Sequence, residues 1–200
     1  MIAIIDYGLG NVLAFHNVYE RLNIPVTVAK SSEDLGACTK VILPGVGAFD
    51  HAMERLEGSG MRDRLEELVL RRKIPVLGIC VGMQMLAGSS EEGAMPGLNW
   101  IAGKVRRFPS KSLALPHMGW NDIRPARPGG LFSGLENDAR FYFLHSYYFE
   151  CHDPADSSAA ADYGDSFSCA VQRGNIYGVQ FHPEKSHHWG SRLLKNFAEM

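Results

Sequence analysis

A cysteine lies between two glycines where a predicted buried strand meets a predicted helix. Residues 76–79 are mostly apolar, as in a strand covered on both faces of a parallel sheet, and residues 83–87 have the composition of the first turns of a helix. Gly78 and Gly82 permit a sharp turn that pushes the side chain of Cys80 out at the carboxyl end of the sheet. This pattern predicts a nucleophile elbow with a thiol as the nucleophile.

The predicted position would also prepare the thiol for chemistry. The positive end of a helix dipole and a nearby imidazolium both favour the thiolate, which is the reactive form of cysteine. The backbone N–H of Val81 could face a developing oxyanion, and Gln84, four residues after Cys80, lies on the same face of the predicted helix. The alternative interpretation is a buried cysteine that only packs.

A His-Pro-Glu triplet follows the last predicted strand. A residue before proline is held extended, and in an extended chain side chains two apart point to the same side. We therefore expect Glu184 to lie beside His182, where it can fix the imidazole tautomer and leave the second ring nitrogen for the thiol. His117 and His145 are weaker candidate bases, for which the sequence favours structural or substrate-lining roles.

Residues 45–47, Gly-Val-Gly, directly follow the third predicted strand. A glycine-flanked peptide can bring a backbone N–H close to a bound ligand because no side chain obstructs the approach. A plain turn is the alternative interpretation of this segment.

Short apolar runs alternate with helical patterns in the first part of the chain, which predicts βαβ units and a parallel sheet. Strands are predicted at 2–6, 25–29, 40–44, 76–79, 140–144, 167–172 and 175–181, and helices at 12–22, 50–56, 61–72 and 187–198. From residue 97 onward short strands predict an antiparallel extension, whereas residues 153–165 are predicted to form an exposed loop. The expected fold is α/β, one domain over residues 1–200 with a mostly parallel sheet flanked by helices.

Composition excludes several classes of protein. The chain carries 20 Lys and Arg residues against 22 Asp and Glu residues, without a basic block, so nucleic acid is not an expected partner. The amino-terminal apolar run is too short for a signal peptide or a membrane span. Four scattered cysteines lack the spacing of a zinc site or a disulfide framework. We expect a cytoplasmic protein with reduced thiols, without a metal or cofactor.

Six segments, in their order along the chain, resemble the motifs of a known enzyme family. They are residues 6–11 (Asp-Tyr-Gly-Leu-Gly-Asn), 44–49 (Pro-Gly-Val-Gly-Ala-Phe), 78–84 (Gly-Ile-Cys-Val-Gly-Met-Gln), 116–121 (Pro-His-Met-Gly-Trp-Asn), 144–147 (Leu-His-Ser-Tyr) and 182–186 (His-Pro-Glu-Lys-Ser). Together they are similar to the class I, triad-type glutamine amidotransferases, and within them to the glutaminase subunits of imidazole glycerol phosphate synthases. The bulky, imidazole-rich residues 187–189 depart from this pattern.

The resemblance implies hydrolysis of glutamine to glutamate, with the ammonia passed to a cyclase subunit that makes imidazole glycerol phosphate and AICAR in histidine biosynthesis. Cys80 would attack the amide carbon, while His182, oriented by Glu184, would transfer the protons. The N–H of Val81, with an N–H from Val46 or Gly47, would hold the oxyanion.

The resemblance also implies residues that bind the substrate and the partner. Glutamine would be recognised by Gln84, His145, Ser146 and Tyr147. Asn11 and Lys185 would lie on the face toward the cyclase, because the carboxyl ends of parallel strands gather on one side. Two alternatives are the glutaminase of another synthase, such as that for pyridoxal phosphate, and a non-catalytic docking subunit. The segments at 6–11 and 116–121 argue against the first, and the complete Cys, His and Glu set argues against the second.

Overall fold

The computed structural model of the protein describes residues 1–109 and 113–200. The strands in chain order are β1 (Ile2–Ile5), β2 (Val26–Ala29), β3 (Lys40–Gly45), β4 (Val76–Cys80), β5 (Ser89–Ser90), β6 (Gly103–Arg107), β7 (His117–Asp122), β8 (Arg124–Pro125), β9 (Arg140–His145), β10 (Tyr147–Cys151), β11 (Ser157–Tyr163), β12 (Asp165–Arg173) and β13 (Ile176–Val179). The α-helices are α1 (Val12–Arg21), α2 (Phe49–Gly58), α3 (Arg62–Glu66), α4 (Val81–Gln84) and α5 (His187–Glu199). A π-helical turn, Glu67–Arg71, follows α3 where the sequence predicts one longer helix.

The main sheet is parallel from β2 to β13 and mostly antiparallel beyond β13, where only β5 and β6 pair in parallel among the described residues. Its strand order is β2-β1-β3-β4-β13-β12-β10-β6-β5, with β11 and β8 attached through β12. Neighbours from β2 to β13 run parallel. From β13 the strands β12, β10 and β6 continue in antiparallel pairs. The predicted fold class, a mostly parallel sheet with an antiparallel extension, is confirmed.

Strands β7 and β9 form a separate two-stranded antiparallel sheet. Its register places His117 opposite His145. The N–H of His182 donates to the carbonyl oxygen of Tyr142 in β9 at 2.9 Å, so the small sheet also holds the chain that leaves β13.

The prediction of an exposed loop at residues 153–165 is wrong. Residues Pro154–Asp156 form a 3-10 turn, and β11 then pairs antiparallel with β12. Inward-facing Ala159 and Ala161 are buried, while their neighbours are more exposed. Alanine and aspartate have low strand propensity, and the pairing with β12 overrides that preference.

The central parallel strands β1 and β4 are buried along their length, as expected for a sheet covered on both faces, whereas the edge strand β2 is mostly half-buried. On one side of the molecule α1 and α5 pack together, and the Tyr19 hydroxyl donates to the carbonyl oxygen of Leu194 at 3.2 Å. No helix within residues 1–109 and 113–200 is long and apolar enough to cross a bilayer.

Three glycines allow β3, β4 and α4 to approach one another at the end of β4. A Cβ atom added to Gly82 would overlap the carbonyl oxygen of Leu43 in β3. One added to Gly78 would lie 2.6 Å from the carbonyl oxygen of Gly82, and one added to Gly45 would overlap the amide nitrogen of Gly82. The obstructing atoms belong to the backbone, which cannot move aside as a flexible side chain can. Glycine is therefore required at these positions by packing.

We expect Gly82→Ala to destabilise the protein by about 2 kcal/mol or more, because the added methyl group overpacks against the backbone of Leu43. The matched control is Gly58→Ala at the end of α2, where a Cβ meets no atom within 4 Å. Its free energy of unfolding should be unchanged or slightly higher. Urea denaturation of both variants provides the measurement, and equal stabilities would contradict the packing role of Gly82.

Candidate active site

Cys80 lies at a strained turn between β4 and α4. Its backbone angles are φ 56° and ψ −114°, a region that non-glycine residues rarely adopt and that costs about 1–3 kcal/mol. The preceding strand β4 is paired on both sides, with β3 and with β13, which holds the turn in place. The residue is 5% exposed. The geometry is that of a nucleophile elbow.

The imidazole of His182 contacts the carboxylate of Glu184. Nδ1 lies 3.0 Å from Oε1, and both side chains are buried. The contact is made through the one-turn 3-10 helix Pro183–Lys185 rather than through the extended chain that the sequence predicts. Proline at the first helical position favours this turn because its φ angle is already suited to a helix.

The backbone of His182 is also held in place by a hydrogen bond. The hydroxyl of Ser186 donates to the carbonyl oxygen of His182 at 2.6 Å, and it accepts from the N–H of Tyr142 at 3.0 Å. Within the described residues, Nε2 of His182 has no nitrogen or oxygen partner. This nitrogen is therefore available for proton transfer.

The electrostatic surroundings favour a protonated His182. Burial alone lowers its pKa, but hydrogen bonding and charge from Cys80 and Glu184 outweigh burial and raise the pKa to about 9. The imidazole of His182 is therefore protonated near neutral pH and carries a positive charge in the same cavity as the Cys80 sulfur.

One cavity of about 290 Å³ brings together most of the residues that the sequence analysis selected. Its lining includes Val46, Gly47, Cys80, Val81, Gln84, His145, Ser146, Tyr147, His182 and Lys185. Glu184 lies behind His182, against its Nδ1. Asn11 does not line the cavity; it is exposed and precedes α1.

The sequence analysis missed two polar residues of this site. Glu92 lines the cavity, and its Oε2 accepts from the N–H of Phe49 at 2.9 Å. Gln180 is fully buried, and its Nε2 lies 3.8 Å from the sulfur of Cys80. Strand alternation could have identified Gln180, since it precedes His182 by two residues. No comparable signal marks Glu92.

His117 and His145 form a buried pair at the wall of the cavity. Nδ1 of His145 donates to the carbonyl oxygen of Tyr147 at 2.7 Å, which leaves its Nε2 to accept from Nδ1 of His117 at 2.9 Å. Burial lowers the pKa of His117 to about 4 and that of His145 to about 3. Both rings are therefore neutral at pH 7, and their hydrogen bonds give them a structural role.

Known proteins match the chain over nearly its whole length. Residues 3–200 match the family described as glutamine amidotransferase class-I. The chain is 63% identical to the imidazole glycerol phosphate synthase subunit HisH of Bdellovibrio bacteriovorus and 54% identical to that of Leptospira interrogans. In both comparisons the match covers 100% of this chain and 100% of the relative.

Solved structures share the fold at low sequence identity. A crystal structure of a glutamine amidotransferase superposes with a TM-score of 0.75 at 19% identity, covering 99% of this chain and 97% of that one. PurLQS from Thermotoga maritima gives a TM-score of 0.76 at 14% identity, with the same coverage. The whole-length matches show that this chain belongs to the class I glutamine amidotransferases and, within them, to the HisH subunits of imidazole glycerol phosphate synthase.

Proposed function

We propose that this glutaminase hydrolyses glutamine through a thioester on Cys80 and passes the ammonia directly to a cyclase subunit. The observation that carries the proposal is the position of Cys80 at a strained turn, in one cavity with His182, which is paired with Glu184. The relatives are named as subunits of imidazole glycerol phosphate synthase, which supports the proposed transfer of ammonia to a cyclase subunit.

In the proposed reaction the Cys80 sulfur forms a bond to the side-chain amide carbon of glutamine, and the carbonyl electrons move to oxygen. Backbone N–H groups of Val81 and of Val46 or Gly47, which line the same cavity, would stabilise this oxyanion. His182 then donates its proton to the departing nitrogen, the C–N bond breaks and ammonia leaves.

The resulting thioester is cleaved by water. Neutral His182 takes a proton from the attacking water, a C–O bond forms at the thioester carbon, and the C–S bond breaks to release glutamate. The thiolate and the imidazolium are thereby restored together. Glu184 keeps the ring in one tautomer through both steps, since its carboxylate accepts from Nδ1.

The cavity offers polar groups that complement a free amino acid. Both N–H bonds of Gln84 are used inside the protein, toward the carbonyl oxygen of Tyr147 at 3.3 Å and Oε1 of Gln180 at 3.1 Å. Its carbonyl oxygen is therefore the atom available to a substrate donor such as the α-ammonium group. Glu92 adds a negative charge to the same cavity. In this proposal Gln84 and Glu92 bind the ammonium group, while the backbone of residues 145–147 contacts the rest of the substrate.

The proposed cyclase surface surrounds the cavity mouth. Val46 and Leu144 line the cavity and are partly exposed, and Met118 and Trp120 on β7 are exposed as well. Lys185 adds a positive charge at this mouth, with its ammonium 5.8 Å from the ring centre of Tyr142. Asn11 is assigned to the same face because it follows β1 at the carboxyl edge of the sheet. A partner seated here would receive ammonia without its release to solvent.

Cys80→Ser should lower glutamine-dependent synthesis by the assembled enzyme by about 10³-fold or more, since only the thiol forms the thioester. Synthesis from added ammonium salt should continue, because that chemistry belongs to the partner. The matched control is Cys151→Ser, which changes a half-buried cysteine on β10 outside the cavity and should retain both activities. Glutamate release and product formation are the measurements. Full glutaminase turnover by Cys80→Ser would overturn the assignment of the nucleophile.

The pKa of His182 should be lower in Cys80→Ser than in the unmodified protein, where it is about 9. The reason is that the sulfur contributes a hydrogen bond and negative charge that raise this pKa, and serine remains neutral. An NMR titration of the labelled imidazole measures the change. The same pKa in both proteins would contradict a thiolate and imidazolium pair.

Lys185→Glu should weaken binding of the cyclase subunit by about tenfold and lower glutamine-dependent synthesis, because a cation at the proposed contact face becomes an anion. Lys195→Glu is the matched charge reversal on α5, where Lys195 contacts Glu199 on the surface. That variant should bind normally, since exposed ion pairs contribute little. Titration calorimetry gives both dissociation constants. Equal, normal affinity and coupling in the two variants would remove Lys185 from the interface.

A further inference from the structure

We propose that the side-chain amide of Gln180 donates a hydrogen bond to the sulfur of Cys80 and stabilises its thiolate. This inference rests on the proposed role of Cys80 as the nucleophile. Gln180 is 0% exposed, and its Nε2 lies 3.8 Å from the Cys80 sulfur, a distance suited to a long N–H···S contact. The backbone of Gln180 is held as well, because its N–H donates to the carbonyl oxygen of Cys169 at 2.8 Å.

The orientation of the amide follows from its neighbours. The carbonyl oxygen of Tyr147 can only accept, so Gln84 must present its nitrogen there. That same nitrogen lies 3.1 Å from the Gln180 side chain, which must therefore present its oxygen to Gln84. The remaining group of Gln180, its NH₂, faces the sulfur. A reversed amide would set two donors against each other in a buried site, which is unfavourable.

The hydrogen-bond network continues beyond Tyr147. The Tyr147 carbonyl also accepts from His145, which is paired with His117. Because both rings are neutral at pH 7, none of these groups reverses its donor and acceptor roles across the neutral range. Gln180 thus points a fixed donor at the nucleophile.

A buried thiolate needs such a donor, because burial disfavours the charged form unless hydrogen bonds or opposite charges compensate. The titratable groups around Cys80 come from several elements: His182, Glu184, Tyr7, His145, Glu92 and Lys185. Tyr7 donates its hydroxyl to the carbonyl oxygen of Pro44 at 2.6 Å rather than to the sulfur, and burial raises its pKa. Gln180 therefore supplies a donor whose state does not change with pH, beside the titrating His182.

The test is the pH dependence of Cys80 alkylation by iodoacetamide, followed by mass spectrometry of the Cys80 peptide. In Gln180→Met, which is similar in size but lacks the donor, the midpoint of alkylation should rise by about one pH unit, equivalent to about 1.4 kcal/mol. The matched control is Gln172→Met, at an exposed position on β12, where the midpoint should not move. A midpoint in Gln180→Met equal to that of the unmodified protein would overturn the proposal.

A measurement on the unmodified protein covers the case in which Gln180→Met does not fold. The side-chain amide resonance of Gln180 should shift with pH in step with Cys80 alkylation, and this titration should be absent in Cys80→Ser. A Gln180 amide that does not respond to thiolate formation would refute the hydrogen bond. Such a result would leave the assignment of Cys80 as the nucleophile intact, because glutamate release by Cys80→Ser tests that assignment separately.

Discussion

Close backbone packing at the carboxyl end of β4 is the constraint on which the site depends. Cys80 adopts a strained left-handed conformation there, and only glycine at positions 45, 78 and 82 lets β3, β4 and α4 approach closely enough to hold it. The strain is sustained because β4 is paired on both sides within the sheet. A rigid, crowded turn of this kind fixes the sulfur relative to its neighbours, which a loop would not do.

The cysteine and the histidine of the proposed catalytic couple come from adjacent parallel strands. Cys80 ends β4, and His182 follows β13, the strand that pairs with β4. Parallel strands bring their carboxyl ends to one edge, so residues far apart in the chain meet there. The ring of His182 is then held in place by Glu184 and, through its backbone, by the small sheet of β7 and β9.

The wall of the cavity is a hydrogen-bonded chain of neutral groups. It runs from the sulfur through Gln180, Gln84, the Tyr147 carbonyl, His145 and His117 to Asn121 on β7. The carbonyl oxygen of Tyr147 can only accept hydrogen bonds, and this fixes which atoms of the neighbouring side chains donate and which accept. Donors and acceptors matched in this way make the polar wall rigid, and the groups of the chain themselves carry no charge.

Much of this could be predicted from local sequence. Continuous apolar runs separated by helical patterns predict a buried parallel sheet, and Gly-x-Cys-x-Gly at a strand end predicts a sharp turn that exposes the thiol. These patterns are informative because each is determined by residues close together in the chain. The proximity of His182 to Cys80 also follows, since parallel strands share an edge.

Other features were decided only by the tertiary structure. Strand β11 forms because β12 offers a partner, although its Ala- and Asp-rich segment favours a loop. The direction of the Gln180 amide depends on hydrogen bonds between groups 63 to 100 residues apart in sequence. The neutrality of His145 depends on its burial. Glu92 joins the cavity from a segment without a local signal. Hydrogen-bond direction and desolvation arise from the assembled environment, so the sequence by itself does not determine them.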